Sequence, residues 1–229
     1  MAALEPGATD YISAFTVTHA PDFARAALLV IDMQNATGAR DGALGRTLKD
    51  RPDIANPRFD RIERFVVPNI RRMLSAFRGN AGRVIYIMLG AADESLADAP
   101  VHMKKLFGGT RNWIGSREHE IVAGLQPQPG ELVLRKTTVG AFASSGIDAA
   151  LRSLGILQLY VCGVSTNMCV DTTAREAADR GYVVTLLEDA CGAAKPEYHD
   201  AAIVTFKRLF GRVISCDAAL GELGLATPP

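Results

Sequence analysis

Residues 159–181 read LYVCGVSTNMCVDTTAREAADRG, and the change of pattern inside this stretch decides the fold. Residues 157–162 form a short apolar run of strand character, broken by Gly163, and from Val170 onward alanine, arginine and glutamate recur at helical spacing. Cys169 stands where the period changes. At the carboxyl end of a buried strand and the first turn of a helix, a thiol meets unpaired backbone N–H groups and the positive end of the helix dipole, which favour a thiolate. Position alone makes Cys169 a nucleophile candidate, beside the plainer reading of a buried core cysteine.

Working outward, the same strand signal recurs five times. Residues 26–31, AALLVI, end at Asp32; residues 84–89, VIYIML, form a second apolar run; residues 131–134 form a third, followed by Arg135 and Lys136. Residues 182–187 and 212–216 supply the fifth and sixth strands. Unbroken apolar runs suit strands covered on both faces. Helical periodicity spans residues 60–79, with Pro68 either starting or kinking the helix, and residues 196–210, which open on Pro196. Shorter helices are predicted over 116–123 and over 147–154, the latter capped by Ser145 with Asp148. Residues 35–56 and the rest of 90–130 show no period and read as long loops, candidate covers for a site. Strands alternating with helices imply parallel pairing, because parallel strands need crossovers. The expectation is one α/β domain over residues 1–229, a three-layer α/β/α sandwich around a six-stranded parallel sheet of Rossmann-like topology, with residues 1–25 as an arm on the surface or on a neighbouring subunit.

Composition narrows the function. Lysine plus arginine and aspartate plus glutamate both number 25, so the net charge is zero and nothing argues for nucleic acid or an anionic membrane. A small molecule is the expected partner. The four cysteines, Cys162, Cys169, Cys191 and Cys216, have no CxxC spacing, and reduced thiols suggest the cytoplasm. Cys162 and Cys216 both fall in strand-like runs. The first twenty residues have neither a basic start nor a long apolar core, so no signal peptide or membrane span is predicted there. Neither GxGxxG nor GxxxxGK[ST] occurs, so the phosphate cradles of dinucleotide and P-loop sites are missing and no cofactor is expected.

Three residues of suitable chemistry, Asp32, Lys136 and Cys169, are thus predicted at the carboxyl ends of three strands. Parallel strands put those ends on one edge of the sheet, where open α/β folds bind ligands.

LLVIDMQN at 28–35, LRKTTVGAF at 134–142, VCGVSTNMCVDTTAREAADRGY at 161–182 and LLEDACGA at 186–193 together resemble the isochorismatase-like cysteine hydrolases, in order and spacing. The resemblance implies a catalytic triad of Asp32, Lys136 and Cys169, a cis peptide between Val164 and Ser165, and an oxyanion hole from the Ser165 and Cys169 N–H groups. It implies hydrolysis of a C–N bond in a small linear amide, carbamoyl or ureido compound through a thioester. Keeping Cys169 disfavours the vinyl-ether hydrolases of the family. Nicotinamidases carry an Asp-x-His…His metal cluster, whereas His102 and His119 here have no aspartate two residues before them, so no metal is expected. Gln34, Asn35, Trp113 and Phe142 are candidate pocket walls, with Arg40 and Arg111 as candidate carboxylate ligands. A homodimer or homotetramer is the family's usual assembly. The competing reading is a redox-active thiol protein in which Cys169 forms a sulfenate or pairs with Cys191.

Overall fold

All six residues of the first strand, β1 (Ala26–Ile31), are fully buried, because layers of helices cover both faces of the sheet. The computed structural model describes Ile12, Phe15 and residues 18–225. Strands β2 (Arg83–Leu89), β3 (Leu132–Lys136), β4 (Gln158–Val164), β5 (Val183–Gly192) and β6 (Arg212–Ile214) join β1 in the order β3-β2-β1-β4-β5-β6, every pair parallel. The chain builds outward from β1 to β3, returns to the other side of β1, and builds outward again. The reversal lies between β1 and β4, and an open α/β sheet has its natural crevice there.

Alternation along β1 divides the core. Ala26, Leu28 and Val30 pack with Phe59 of α3 (Pro52–Arg61), Ile70, Met73, Leu74 and Phe77 of α4 (Val67–Gly79), and Ala219 and Leu220 of α9 (Cys216–Glu222). Ala27, Leu29 and Ile31 pack on the opposite face with Phe107 of α5 (Val101–Thr110), Leu151 of α6 (Ile147–Ser153), Ala174 and Ala177 of α7 (Asp171–Asp179), and Phe206 of α8 (Pro196–Lys207). The three layers are therefore two apolar cores separated by one sheet.

Several local expectations change. Residues 35–56 are not a loop: α1 (Asn35–Gly38) and α2 (Ala43–Thr47) precede α3, which starts at Pro52, where a missing N–H costs nothing. From α3 the helix runs through a π turn, Ile62–Val66, into α4. That wider turn precedes Pro68, which has no N–H to give to the carbonyl one turn earlier, so the proline lies within the continued helix instead of breaking it. α5 was hidden in a segment of weak periodicity, whereas the helix predicted at 116–123 is only a 3-10 turn, Arg117–His119. Residue 146, not Ser145, caps α6; Ser145 Oγ donates to the Ala141 carbonyl and Asp148 accepts from the Tyr182 hydroxyl. β3 extends to Lys136 itself. Cys216 lies in no strand: β6 ends at Ile214, Ser215 caps α9 through the Ala218 N–H, and Cys216 opens that helix.

Most of residues 1–17 in the expected arm lie outside the described residues. Nearer the sheet, the chain packs on itself: Gln158 binds the Asp22 N–H and the Ala20 carbonyl, and the Phe23 ring meets Phe77 edge-on at 5.2 Å between centroids.

Candidate active site

Asp32 follows β1 directly, with its N–H bonded to the Ile87 carbonyl of β2 and its backbone in the left-handed region at φ 53°. Aspartate tolerates that region better than most residues, and such conformations gather at functional sites. Lys136 ends β3, two strands away, and its long side chain lies wholly buried with Nζ 2.9 Å from Asp32 Oδ2. The directed hydrogen bonds of the ammonium go to the Thr138 and Val139 carbonyls, at 3.1 and 2.9 Å. Both Asp32 oxygens are buried and neither receives a well-aligned hydrogen bond from the protein. A carboxylate so placed has lone pairs ready for a proton.

Cys169 comes from the end of β4. The strand leaves the sheet through the Val164–Ser165 peptide, which is cis, and enters a π turn, Thr166–Val170, that runs on into α7. Gly163 makes the exit feasible: at φ 118°, a β-carbon there would sit 2.1 Å from the Ile31 carbonyl oxygen. The Cys169 thiol thus lies beside both Asp32 and Lys136, the two groups that act most strongly on it after burial.

Electrostatics revise one expectation. Burial pushes the Cys169 thiol up to about 12, and the Asp32 carboxylate pushes the same way against Lys136. Cys169 lies in a buried π turn against a carboxylate, so it rests as a thiol and not as the dipole-stabilised thiolate the sequence suggested. Burial also raises Asp32, with Lys136 opposing. For Lys136, burial works against the charge, but Asp32 and Cys169 outweigh it and the ammonium is held above its ordinary value. At rest the site thus holds an ammonium and a neutral thiol beside an Asp32 carboxyl group raised above its ordinary value.

Residues 26–218 match the family model of the Isochorismatase domain. The chain belongs to the isochorismatase family. It is 31% identical over 217 residues to the ureidoacrylate amidohydrolase RutB of Caulobacter segnis, covering 88% of this chain and 87% of that one. It is 33% identical over 211 residues to RutB of Pantoea ananatis, covering 84% and 81%. A cysteine hydrolase from Pseudomonas syringae pv. phaseolicola shares its fold, with a TM-score of 0.79 over 91% of this chain and 97% of that one at 22% identity.

Around Asp32, Lys136 and Cys169 in this isochorismatase-family hydrolase, the other expected site residues divide. Gln34 is a brace: its Oε1 accepts the Leu89 N–H, and its Nε2 faces the carbonyls of Leu89 and His119 and the His119 ring, so the ends of β1 and β2 are clamped to the 119 loop. Asn35 ties α1 to the Arg117 and Glu120 carbonyls. Arg40 is engaged by Glu63, Asp60 and Asn56 over the Phe59 ring, so its guanidinium links α1's exit to α3 and the π turn rather than standing free for a substrate carboxylate. Phe142 packs beside Tyr182 and under Arg180, on the same core as Cys169. Arg111 is exposed over Trp113, whose half-buried side chain packs on the same core as Cys169. His119 is buried and bonded to Gln34 and Asn112, while His102 is exposed.

Two buried residues escaped the sequence reading. Arg58, on α3, donates from Nη1 to Ser165 Oγ at 2.8 Å and from Nε to the Thr37 carbonyl at 2.9 Å. Its signal was present: Ala55, Phe59, Ile62 and Val66 form a buried stripe, and Arg58 falls in that stripe. His199, on α8, contacts Arg61 Nη2 through Nε2 and Thr166 Oγ1 through Nδ1. An arginine only donates, so Nε2 accepts and the proton sits on Nδ1, which donates to Thr166. Thr166 is wholly buried in the turn that carries Cys169.

Proposed function

We propose that this protein hydrolyses the C–N bond of a small linear carbamoyl, ureido or amide compound, with Cys169 as nucleophile. The observation that carries this reading is a buried carboxylate with open lone pairs, ion-paired to Lys136 at 2.9 Å and beside the Cys169 thiol. Asp32 takes the thiol proton as sulfur attacks the carbonyl carbon, and Lys136 offsets the negative charge left between them. The carbonyl electrons move onto oxygen, which the Ser165 and Cys169 backbone N–H groups receive; one such donor is worth roughly 2.7–4 kcal/mol. Collapse re-forms the carbonyl and expels the nitrogen, which takes the proton held on Asp32. A water molecule then gives a proton to the same carboxylate, adds to the thioester, and releases the acid and the thiol.

The RutB relatives named above favour a ureido compound as first candidate. Four free buried cysteines among the described residues fit a reducing compartment, so a cytoplasmic location belongs to this reading; a homodimer or homotetramer is carried into it by the family resemblance alone. Among the described residues, no helix is long and apolar enough to cross a membrane. The redox alternative has weaker support, because Cys191 is wholly buried on β5 with its thiol turned to the Val161 carbonyl.

Ammonia release from a panel of ureido acids, carbamoyl compounds and simple amides tests the reading. The parent is expected to turn over at least one class, with Cys169→Ala lowering kcat by at least about 10³-fold. Turnover undiminished by that substitution removes the proposed nucleophile.

A further inference from the structure

Lys136 is held from two directions. Its ammonium faces Asp32 across the end of β2, and its directed hydrogen bonds go to the Thr138 and Val139 carbonyls, in the loop that follows β3. A wholly buried ammonium stays where its acceptors stay. Whatever fixes the loop over residues 137–146 therefore fixes Lys136.

Part of that loop braces itself: Ser144 Oγ accepts the Thr137 and Thr138 N–H groups, and the Thr138 hydroxyl donates to the Gly140 carbonyl. Two further amides reach out to α7. The Ala141 N–H donates to Thr173 Oγ1 at 3.1 Å, and the Phe142 N–H donates to Glu176 Oε2 at 3.0 Å. Thr173 and Glu176 are three residues apart and so share one helix face. α7 runs on without a break from the π turn that carries Cys169. One helix thus has the thiol at its start and, one and two turns later, the anchors of the loop that holds the ammonium.

Glu176 is set apart from the other charges of α7. Arg180 stands four residues on, the spacing of a helical ion pair, yet it gives Nη1 to the Glu176 main-chain carbonyl and lies over the Phe142 ring, while Arg175 pairs with Asp171. The half-buried Glu176 carboxylate turns instead to the loop and fills the space over Gly140, where a β-carbon would lie 2.3 Å from Oε2. Its bond to the Phe142 N–H is charge-assisted, the stronger kind. Lys136 opposes burial and Asp32 in favouring the Cys169 thiolate. A drift of the ammonium away from sulfur must therefore slow any reaction of Cys169 that passes through the thiolate.

Building on the cysteine-hydrolase reading, we propose that Glu176, with Thr173 beside it, is a positioning residue that locks the 137–146 loop to α7 and thereby sets the Lys136 ammonium against the Cys169 thiol. Glu176 touches no reacting atom. It acts by keeping the Thr138 and Val139 carbonyls, and with them Nζ, in a fixed place relative to sulfur.

The test reads Cys169 itself, through its alkylation by iodoacetamide at pH 8 followed by peptide mass. In Glu176→Ala the second-order rate should fall by about 10-fold, the equivalent of one pKa unit. With a substrate in hand, kcat should fall by about 10²-fold at nearly unchanged KM, the scale of an ångström's misplacement. Glu176→Gln, which keeps an acceptor oxygen for the Phe142 N–H, should restore most of both. In a Lys136→Ala background, Glu176→Ala should lower the alkylation rate no further, because the lysine through which it acts is gone. An equal fall in both backgrounds, an unchanged or faster rate in Glu176→Ala, or a lowered Tm with reactivity intact would make Glu176 a plain structural tie and overturn the proposal. Should Glu176→Ala fail to fold, Thr173→Val, which removes only the Ala141 acceptor, must show the same Lys136-dependent fall. Absence of any hydrolysis by the parent would sink the hydrolase reading, whereas the alkylation comparison judges Glu176 without a substrate.

Discussion

In the proposed reaction, Asp32 controls the protonation state on which turnover depends. Its carboxyl is raised above the ordinary 3.8 because burial outweighs the Lys136 ammonium, and it must be ionised to receive the thiol proton. Activity should therefore fall as pH drops through that raised value, so the acid limb of kcat/KM lies above the range of an ordinary aspartate. No matching alkaline limb is expected near neutrality, since the thiol stands at about 12 and Lys136 is held above its ordinary value. A pH–rate profile checks this, and Asp32→Asn should lower kcat by about 10²–10⁴-fold, the usual contribution of a general base. Activity climbing steadily with hydroxide between pH 8 and 10 would mean that solvent, and not Asp32, makes the thiolate.

At the level of elements, the β4 exit and the helix buttressing it hold Cys169, the proposed nucleophile, in place. Gly163→Ala would drive a β-carbon to 2.1 Å from the Ile31 carbonyl, a backbone atom that cannot step aside without breaking the β1–β4 ladder. Urea unfolding should record a loss above about 3 kcal/mol, beyond the common range for single substitutions. His199 offers a pH-dependent counterpart. Its pKa is lowered to about 4 by burial, with Arg61 adding to the effect, so between about 4 and 6.5 the unfolded chain binds a proton that the folded chain refuses. Stability therefore falls as pH falls through that window, by up to roughly 3 kcal/mol, and is complete above it. Thermal melts at pH 7 and pH 5 should show a drop in Tm that is smaller in His199→Gln, which cannot titrate. Strand ends were readable in the sequence because each apolar run stops at a local signal: residues 26–31 at Asp32, 131–134 before Arg135 and Lys136, and 157–162 at Gly163, with Cys169 following where the helical period begins. The parts played by Arg58, His199 and Gln34 were not, because they depend on partners far along the chain: Arg58 meets Ser165, His199 meets Arg61, and Gln34, expected as a pocket wall, meets Leu89. Arg58 is buried because α3 continues the buried stripe of α4.

Across the whole molecule, the site belongs to no single element. Asp32 comes from β1, Lys136 from β3 across the end of β2, and Cys169 from beyond β4, so the sheet order itself assembles the chemistry. Activity should then disappear together with the sheet. In a urea titration, inactivation, far-ultraviolet circular dichroism and the fluorescence of Trp113, the one tryptophan, are expected to share a midpoint; inactivation at clearly lower urea would place the site in a separately melting part. The central claim, a covalent bond between the Cys169 sulfur and the substrate carbonyl carbon, is tested most directly by acid-quenching the enzyme during turnover and weighing the intact protein and its peptides. An adduct of the acyl fragment on the peptide carrying Cys169, absent in Cys169→Ala, is the predicted result. Steady turnover with no adduct, at quench times that capture the first catalytic cycle, in an enzyme whose Cys169→Ala variant still works, would contradict it.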